Sequence, residues 1–239
     1  MKKAIVVGAT SGIGKRLAEL LVEKGYLVGI TGRRTGLLEE LKTQNPESYS
    51  IKTFDTTQTS SIAQQLDDLT HELGGLDLLI ISSGTGDLND KLDFELEKRT
   101  IDTNVGGFTA IADWAFNYFS SQKHGQLVAI TSIAGILGNG QAPAYSASKA
   151  YQINYLQGLR MKASKASLPI FITDIRPGFV DTDMAKGQKL FWMAKVERAS
   201  IQIFNAILKK RKVVYITKRW QIIACLIKIL PNRILEKIL

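Results

Sequence analysis

Short apolar runs alternate with amphipathic stretches along most of this 239-residue chain. Ala4–Val7, Tyr26–Thr31, Ser50–Phe54, Leu76–Ile81, Gln126–Thr131 and Pro169–Ile175 read as strands. Between them, Ile13–Glu23, Leu37–Leu41, Ile62–Leu73, Phe94–Phe119 and Tyr145–Ser164 carry apolar residues at helical spacing. Strands that are apolar throughout are buried on both faces, the situation of parallel strands crossed by helices. Right-handed crossovers then predict one doubly wound α/β domain with a parallel sheet and ligands at its carboxyl edge. The pattern continues with a helical reading over Ala185–Lys212, a last strand Val213–Ile216, and an apolar, basic helical tail Trp220–Leu239 broken near Pro231.

With 45% hydrophobic and 22% charged residues the chain has the composition of a globular protein rather than of a disordered one. A lone cysteine, Cys225, excludes an internal disulfide, and the N-terminus lacks the features of a signal peptide, so a cytoplasmic setting is expected. No apolar run approaches the roughly 20 residues that span a bilayer. His71 and His124 stand apart from other ligand types, and no metal is expected. The net charge of +9 is unevenly spread: residues 1–185 hold 18 Lys and Arg against 20 Asp and Glu, residues 186–239 hold 13 against 2. A basic tail interleaved with apolar residues suits an anionic membrane surface or an acidic partner better than the reading of a nucleic-acid sequence.

Gly8-Ala9-Thr10-Ser11-Gly12-Ile13-Gly14 joins the first strand to the first helix. Glycines there let a pyrophosphate approach the free N–H groups and positive dipole end of the helix, the Rossmann arrangement, though a plain tight turn uses the same residues. The second strand ends in Arg33-Arg34, where an acid would bind the ribose 2′-hydroxyl of NAD and an arginine a 2′-phosphate. NADP(H) is therefore the expected cofactor, with Arg33 the better placed of the two arginines. Asp55, at the end of the third strand, is placed either to accept from an adenine amino group or to cap the next helix.

Ser132 follows the fifth strand, and Tyr145 and Lys149 lie four residues apart on one helical face. A cation near a phenol favours the phenolate and fits the tyrosine for acid–base work at neutral pH.

Taken together, these residues resemble the short-chain dehydrogenase/reductase family. Gly8–Gly14 matches its glycine turn, Ser132, Tyr145 and Lys149 its catalytic serine and Tyr-x-x-x-Lys, Asn104 its helix-four asparagine, and Pro177-Gly178 with Thr182 its segment after the sixth strand. The resemblance covers residues 1 to about 185. It implies that Tyr145 protonates a carbonyl oxygen or deprotonates an alcohol, that Lys149 lowers its pKa and holds the nicotinamide ribose, and that Ser132 hydrogen-bonds the substrate oxygen. It further implies that Asn104 holds a water relaying protons to Lys149. Gly8, Thr10, Ser11, Gly12, Ile13, Gly14, Arg33, Arg34, Asp55, Ser83, Gly84, Tyr145, Lys149, Pro177, Gly178, Val180 and Thr182 are the expected cofactor contacts. Two departures stand out: Val7 replaces the family's threonine before the first glycine, and Ile81-Ser82-Ser83-Gly84 replaces Asn-Asn-Ala-Gly. The two segments are neighbours in the family fold, so the exchange reads as compensatory packing.

Residues 186–212 correspond to the family's substrate lid, with Phe191, Trp192 and Met193 as an apolar lining suited to an apolar or amphipathic carbonyl or alcohol. The tail, residues 218–239, carries more apolar surface than a solvated segment needs. A homodimer or homotetramer contact is the preferred reading, against a membrane interface or packing on its own domain. For the chain as a whole, the alternative to an enzyme is a regulatory or scaffold protein that binds NADP(H) without turnover.

Overall fold

The computed structural model describes residues 1–183, 192–231 and 235. In chain order its elements are β1 (Lys3–Val7), α1 (Gly12–Glu23), β2 (Leu27–Gly32), α2 (Thr35–Gln44), β3 (Tyr49–Thr53), α3 (Thr59–Leu73), β4 (Leu78–Ile81) and α4 (Phe94–Ile101). A π-helical turn, Asp102–Gly107, leads from α4 into α5 (Phe108–Gln122). Then follow β5 (Gly125–Ile130), a 3₁₀ turn at Ile133–Ile136, α6 (Pro143–Lys165), β6 (Ile170–Pro177), α7 (Val196–Leu208), β7 (Val213–Ile216) and α8 (Lys218–Ile229).

All seven strands are parallel, in the order β3-β2-β1-β4-β5-β6-β7. The winding reverses between β1 and β4, where a crevice opens outside the carboxyl ends. Because side chains alternate across a strand, β1 feeds two cores. Ala4 and Val6 meet Leu17 and Leu21 of α1 and Ile203, Phe204 and Ile207 of α7. Ile5 and Val7 face Leu66 and Leu69 of α3 and Phe108, Ile111 and Phe119 of α5. Phe108 and Phe119 are among the largest fully buried side chains, and truncating such a ring to alanine costs about 3–5 kcal/mol. The departure from the family pattern is resolved here: Val7 pairs with Ile81 in register, each 1% exposed in the same core.

The C-terminal region differs from the expected long helix. Residues 184–191, among them Phe191 of the expected lid lining, lie outside the described residues. Trp192–Lys195 is not helical, Ala194 forms a bridge with Val180, and α7 begins only at Val196. The tail helix α8 ends at Ile229, two residues before Pro231, which cannot continue it. Trp220, Ala224 and Leu235 are buried on the domain itself, while Ile222, Leu226 and Ile229 on the outer face of α8 are exposed. Among the described residues no helix is long and apolar enough to cross a membrane.

Candidate active site

Most expected site residues lie at the end of a strand, in the segment that follows it or on α6, which gathers them at the carboxyl edge of the sheet, and Asn104 comes from the π-helical turn between α4 and α5. The turn after β1 bends at Gly8 (φ +89°) and Gly12 (φ +56°). A Cβ on Gly14 would lie 2.1 Å from the Gly8 carbonyl oxygen, and one on Gly8 would lie 2.6 Å from the Ser83 nitrogen. Side chains at either position would force the turn away from the helix end and from the strand beside it. Ser11 precedes α1 in extended backbone, and the first turn of α1 carries no acidic residue to neutralise its positive end. Ile13 packs on the core below. Thr182, from the segment after β6, faces the turn from across the crevice, its Cγ2 3.2 Å from where a Gly12 Cβ would stand.

The two arginines, of which Arg33 was expected to be the better placed, make different contacts. Arg34 reaches back over the glycine turn, its guanidinium donating to the Thr10 hydroxyl (2.6 and 3.2 Å) and to the Ser11 hydroxyl (3.0 Å). Arg33 turns toward Asp55, at 3.7 Å, with 69% of its side chain exposed. Asp55 accepts from the Thr57 backbone and hydroxyl in a local turn, and α3 starts only at Thr59. Of the two arginines Arg34 is thus the one fixed over the glycine turn. The glycine geometry, the unneutralised helix end and this guanidinium fit a dinucleotide.

At the other end of the crevice Ser132, Tyr145 and Lys149 come together. Ser132 is 8% exposed and leads into the 3₁₀ turn, its Oγ accepting from the Ala134 N–H at 3.1 Å. The Tyr145 ring packs against Gly86, where a Cβ would stand 2.3 Å from a ring carbon. Lys149, 4% exposed, donates from Nζ to the Ile130 carbonyl at the end of β5 and to Gln152 Oε1, both at 3.1 Å, and lies 5.8 Å from the Tyr145 ring centre. The amine also stands near Gly84, whose Cβ would be 3.4 Å from Nζ.

Burial pushes the Tyr145 phenol above its ordinary pKa, while a hydrogen bond with Ser132 pulls the other way. Burial lowers Lys149 to about 8, opposed by the carboxylate of Asp174. Desolvation is the largest influence on the phenol, and the hydrogen bonds of the ammonium go to Ile130 and Gln152.

Asn104 is fully buried in the π-helical turn. Its side chain clamps the residue after Gly84, accepting from the Thr85 N–H (2.9 Å) and donating to the Thr85 carbonyl (2.7 Å), and it donates to the Ser148 hydroxyl (3.0 Å). Its main-chain carbonyl accepts from Gln152 Nε2 at 2.9 Å. Gln152 stands between Asn104 and Lys149, its amide in contact with both. Sequence reasoning missed Gln152, although its position three residues beyond Lys149 on one helix was a usable signal. Missed as well was the pair Asp174–Arg176 in β6, which polar residues alternating in a buried strand announce.

The last wall comes from the segment after β6 and from the tail. Pro177 closes β6, and Gly178 lies under Trp220, whose ring would be 2.2 Å from a Cβ there. Trp220 meets Phe179 edge-on (5.1 Å) and Trp192 (6.2 Å), and Val180 is buried beside them. Trp192 and Met193 remain half exposed at the rim. Among the described residues no group of His, Cys, Asp and Glu could hold a metal ion.

Comparison with known proteins agrees with this fold. The model of the short chain dehydrogenase family matches residues 2–190. An uncharacterized oxidoreductase of Myxococcus xanthus is 32% identical over 188 residues, 77% of this chain and 74% of the relative. One from Staphylococcus aureus strain USA300 is 32% identical over 184 residues, 76% of this chain and 79% of that protein. Among solved structures, a short-chain dehydrogenase from Streptomyces avermitilis superposes with a TM-score of 0.81 at 22% identity, covering 92% of this chain and 89% of the other. A serine dehydrogenase complexed with NADP+ gives 0.80 at 24% identity, covering 89% and 92%. With the family's sequence model spanning both the glycine turn and the Ser132, Tyr145 and Lys149 cluster, the chain belongs to the short-chain dehydrogenase/reductase family of oxidoreductases.

Proposed function

We propose that the protein transfers hydride between NADP(H) and a carbonyl compound or secondary alcohol, with Tyr145 as the acid or base. The observation that carries this reading is the convergence of Ser132, Tyr145 and a buried Lys149 beside the crevice that Arg34 and the glycine turn frame. The nicotinamide supplies or accepts the hydride when bound.

Ser132 and Tyr145 would hold the substrate oxygen between two hydroxyls, and Tyr145 would give it a proton during reduction or take one during oxidation. An ammonium has three N–H donors. With Ile130 and Gln152 taking two of those of Lys149, the third is left for a ribose hydroxyl. Arg34, with Thr10 and Ser11, would bind the 2′-phosphate, and a structure of a related fold carrying NADP+ supports that preference. Gly8, Gly12, Ile13 and Gly14 would present backbone to the pyrophosphate, Ser83, Gly84, Pro177, Gly178, Val180 and Thr182 would line the nicotinamide half, and Asp55 with Arg33 would border the adenine. A protein that merely binds the nucleotide has no need of a lysine desolvated this deeply.

Phe179, Trp192, Met193 and Trp220 around the mouth support an apolar or amphipathic substrate. Tyr145→Phe keeps the ring and removes the proton; NADPH-dependent reduction across a panel of ketones, aldehydes and quinones should fall by about 10³-fold or more with NADPH affinity nearly unchanged. Retained turnover in that variant sinks the mechanism.

For the exposed side of α8 we infer a contact between copies of this chain. Ile222, Leu226 and Ile229 form one apolar stripe at helical spacing, left bare although Trp220 and Ala224 are buried. Sedimentation of the full chain and of one ending at residue 217, with and without anionic vesicles, tests this. Loss of the oligomer on truncation supports the contact; an unchanged oligomer with lost vesicle binding assigns the stripe to a membrane surface instead.

A further inference from the structure

We propose that Gln152 is a positioning residue of this centre, tying the Lys149 ammonium to the Asn104 main-chain carbonyl through its own amide. The inference rests on the reading of Lys149 as part of the reacting centre.

Gln152 is 1% exposed, and both ends of its amide are engaged: Nε2 donates to the Asn104 carbonyl oxygen at 2.9 Å, and Oε1 accepts from Lys149 Nζ at 3.1 Å. The orientation of the amide is fixed by chemistry, since a flipped group would set its NH₂ against an ammonium and its oxygen against a carbonyl. Three elements meet at this point: Asn104 comes from the π-helical turn, Lys149 and Gln152 from α6, and Ile130 from β5. The ionisable group acting on the amine is Asp174 from β6, and the ring of Tyr145, on its own helix, is centred 5.8 Å from Nζ.

A side-chain amide does two things that a water in the same place does not. Held by its own helix, it keeps Nζ aimed at the crevice without the entropy loss of ordering a solvent molecule. It also lacks the mobile protons of a water, so a proton leaving Lys149 is not relayed through it. In this protein the lysine is steered from behind and its proton exchange is directed to the crevice side.

The roles of bridge and of filler are separated by two variants. Gln152→Met keeps the volume and removes both hydrogen bonds. Gln152→Ala removes the amide and opens room beside one donor and one acceptor, enough for a water to restore the bridge. Packing alone makes alanine the worse change, because it leaves a cavity where methionine leaves none. The bridge makes methionine the worse change.

The readout is the titration of Lys149 Nζ in the cofactor-free protein, followed by NMR of selectively labelled lysine, with NADPH-dependent reduction of 9,10-phenanthrenequinone as a second measurement. Methionine is expected to lower the Lys149 pKa by about half a unit or more, with alanine near wild type. Turnover is expected to fall about tenfold in the methionine variant and about threefold or less in the alanine variant. Should methionine fail to fold, Gln152→Glu is expected to raise the amine's pKa by about one unit or more. A smaller shift in these variants, or alanine behaving worse than methionine, overturns the bridge. The titration needs no turnover, so it judges Gln152 even if Tyr145→Phe shows the proposed chemistry to be wrong.

Discussion

The guanidinium of Arg34, at the start of α2, closes on the hydroxyl of Thr10 in the glycine turn, with NH2 to Oγ1 at 2.6 Å. Two separate βα connections are thereby joined by one cation exposed to solvent, at the edge where a ribose 2′-substituent would lie. Arg34→Ala should weaken NADPH binding by about tenfold or more while changing NADH binding by about threefold or less. Fluorescence titration with both nucleotides decides it, and equal losses for the two would remove Arg34 from the 2′-phosphate.

Lys149 predicts a rise of stability with pH. Its folded value, about 8, lies below the ordinary 10.5 of an unfolded chain, so between those values the unfolded state binds more protons than the folded one. The cost of burying the charge is fully present below pH 8 and is relieved as pH climbs toward 10, where tyrosine ionisation begins to act in the opposite sense. Lys149→Met lacks this dependence. Urea unfolding of the cofactor-free proteins should show wild type gaining up to about 2 kcal/mol on the variant between pH 7 and pH 9.5; a constant difference refutes the assignment.

Beneath the site, Arg176 and Asp174 form a buried ion pair at 2.6 Å, with Thr131 donating to the other Asp174 oxygen at 2.6 Å and Arg176 donating to the Tyr215 hydroxyl at 2.9 Å. Breaking one side leaves a buried charge without its partner. Arg176→Met should cost about 3–5 kcal/mol in denaturant unfolding, and the double change Asp174→Leu with Arg176→Met should cost less than the single one. A double variant less stable than Arg176→Met contradicts this account.

Most of the fold and the arrangement of the site were legible because the relevant signals are local. Glycines mark the turn after β1, Tyr145 and Lys149 declare their shared face by spacing, and every strand end announces where its following residues must lie. The reach of Arg34 over the glycine turn was not legible, since it depends on a hydroxyl contributed by Thr10 from another connection. Nor was the Gln152 bridge, which needs a carbonyl from the π-helical turn to meet two side chains of α6. The two faces of the tail were not separable for a different reason: α8 is apolar on both sides, and periodicity alone does not tell which face holds Trp220 against Gly178.

The wide turn at Asp102–Gly107 carries a lesson about length rather than composition. Each residue of a regular helix advances the chain by about 100°. Deleting a single residue there would let the helix wind evenly from Phe94 to Gln122, yet it would swing Asn104 away from both Thr85 and Gln152 without altering any polar group. The centre is thus tuned by a count of residues, and a chain with every named side chain intact can lose its alignment through one missing step.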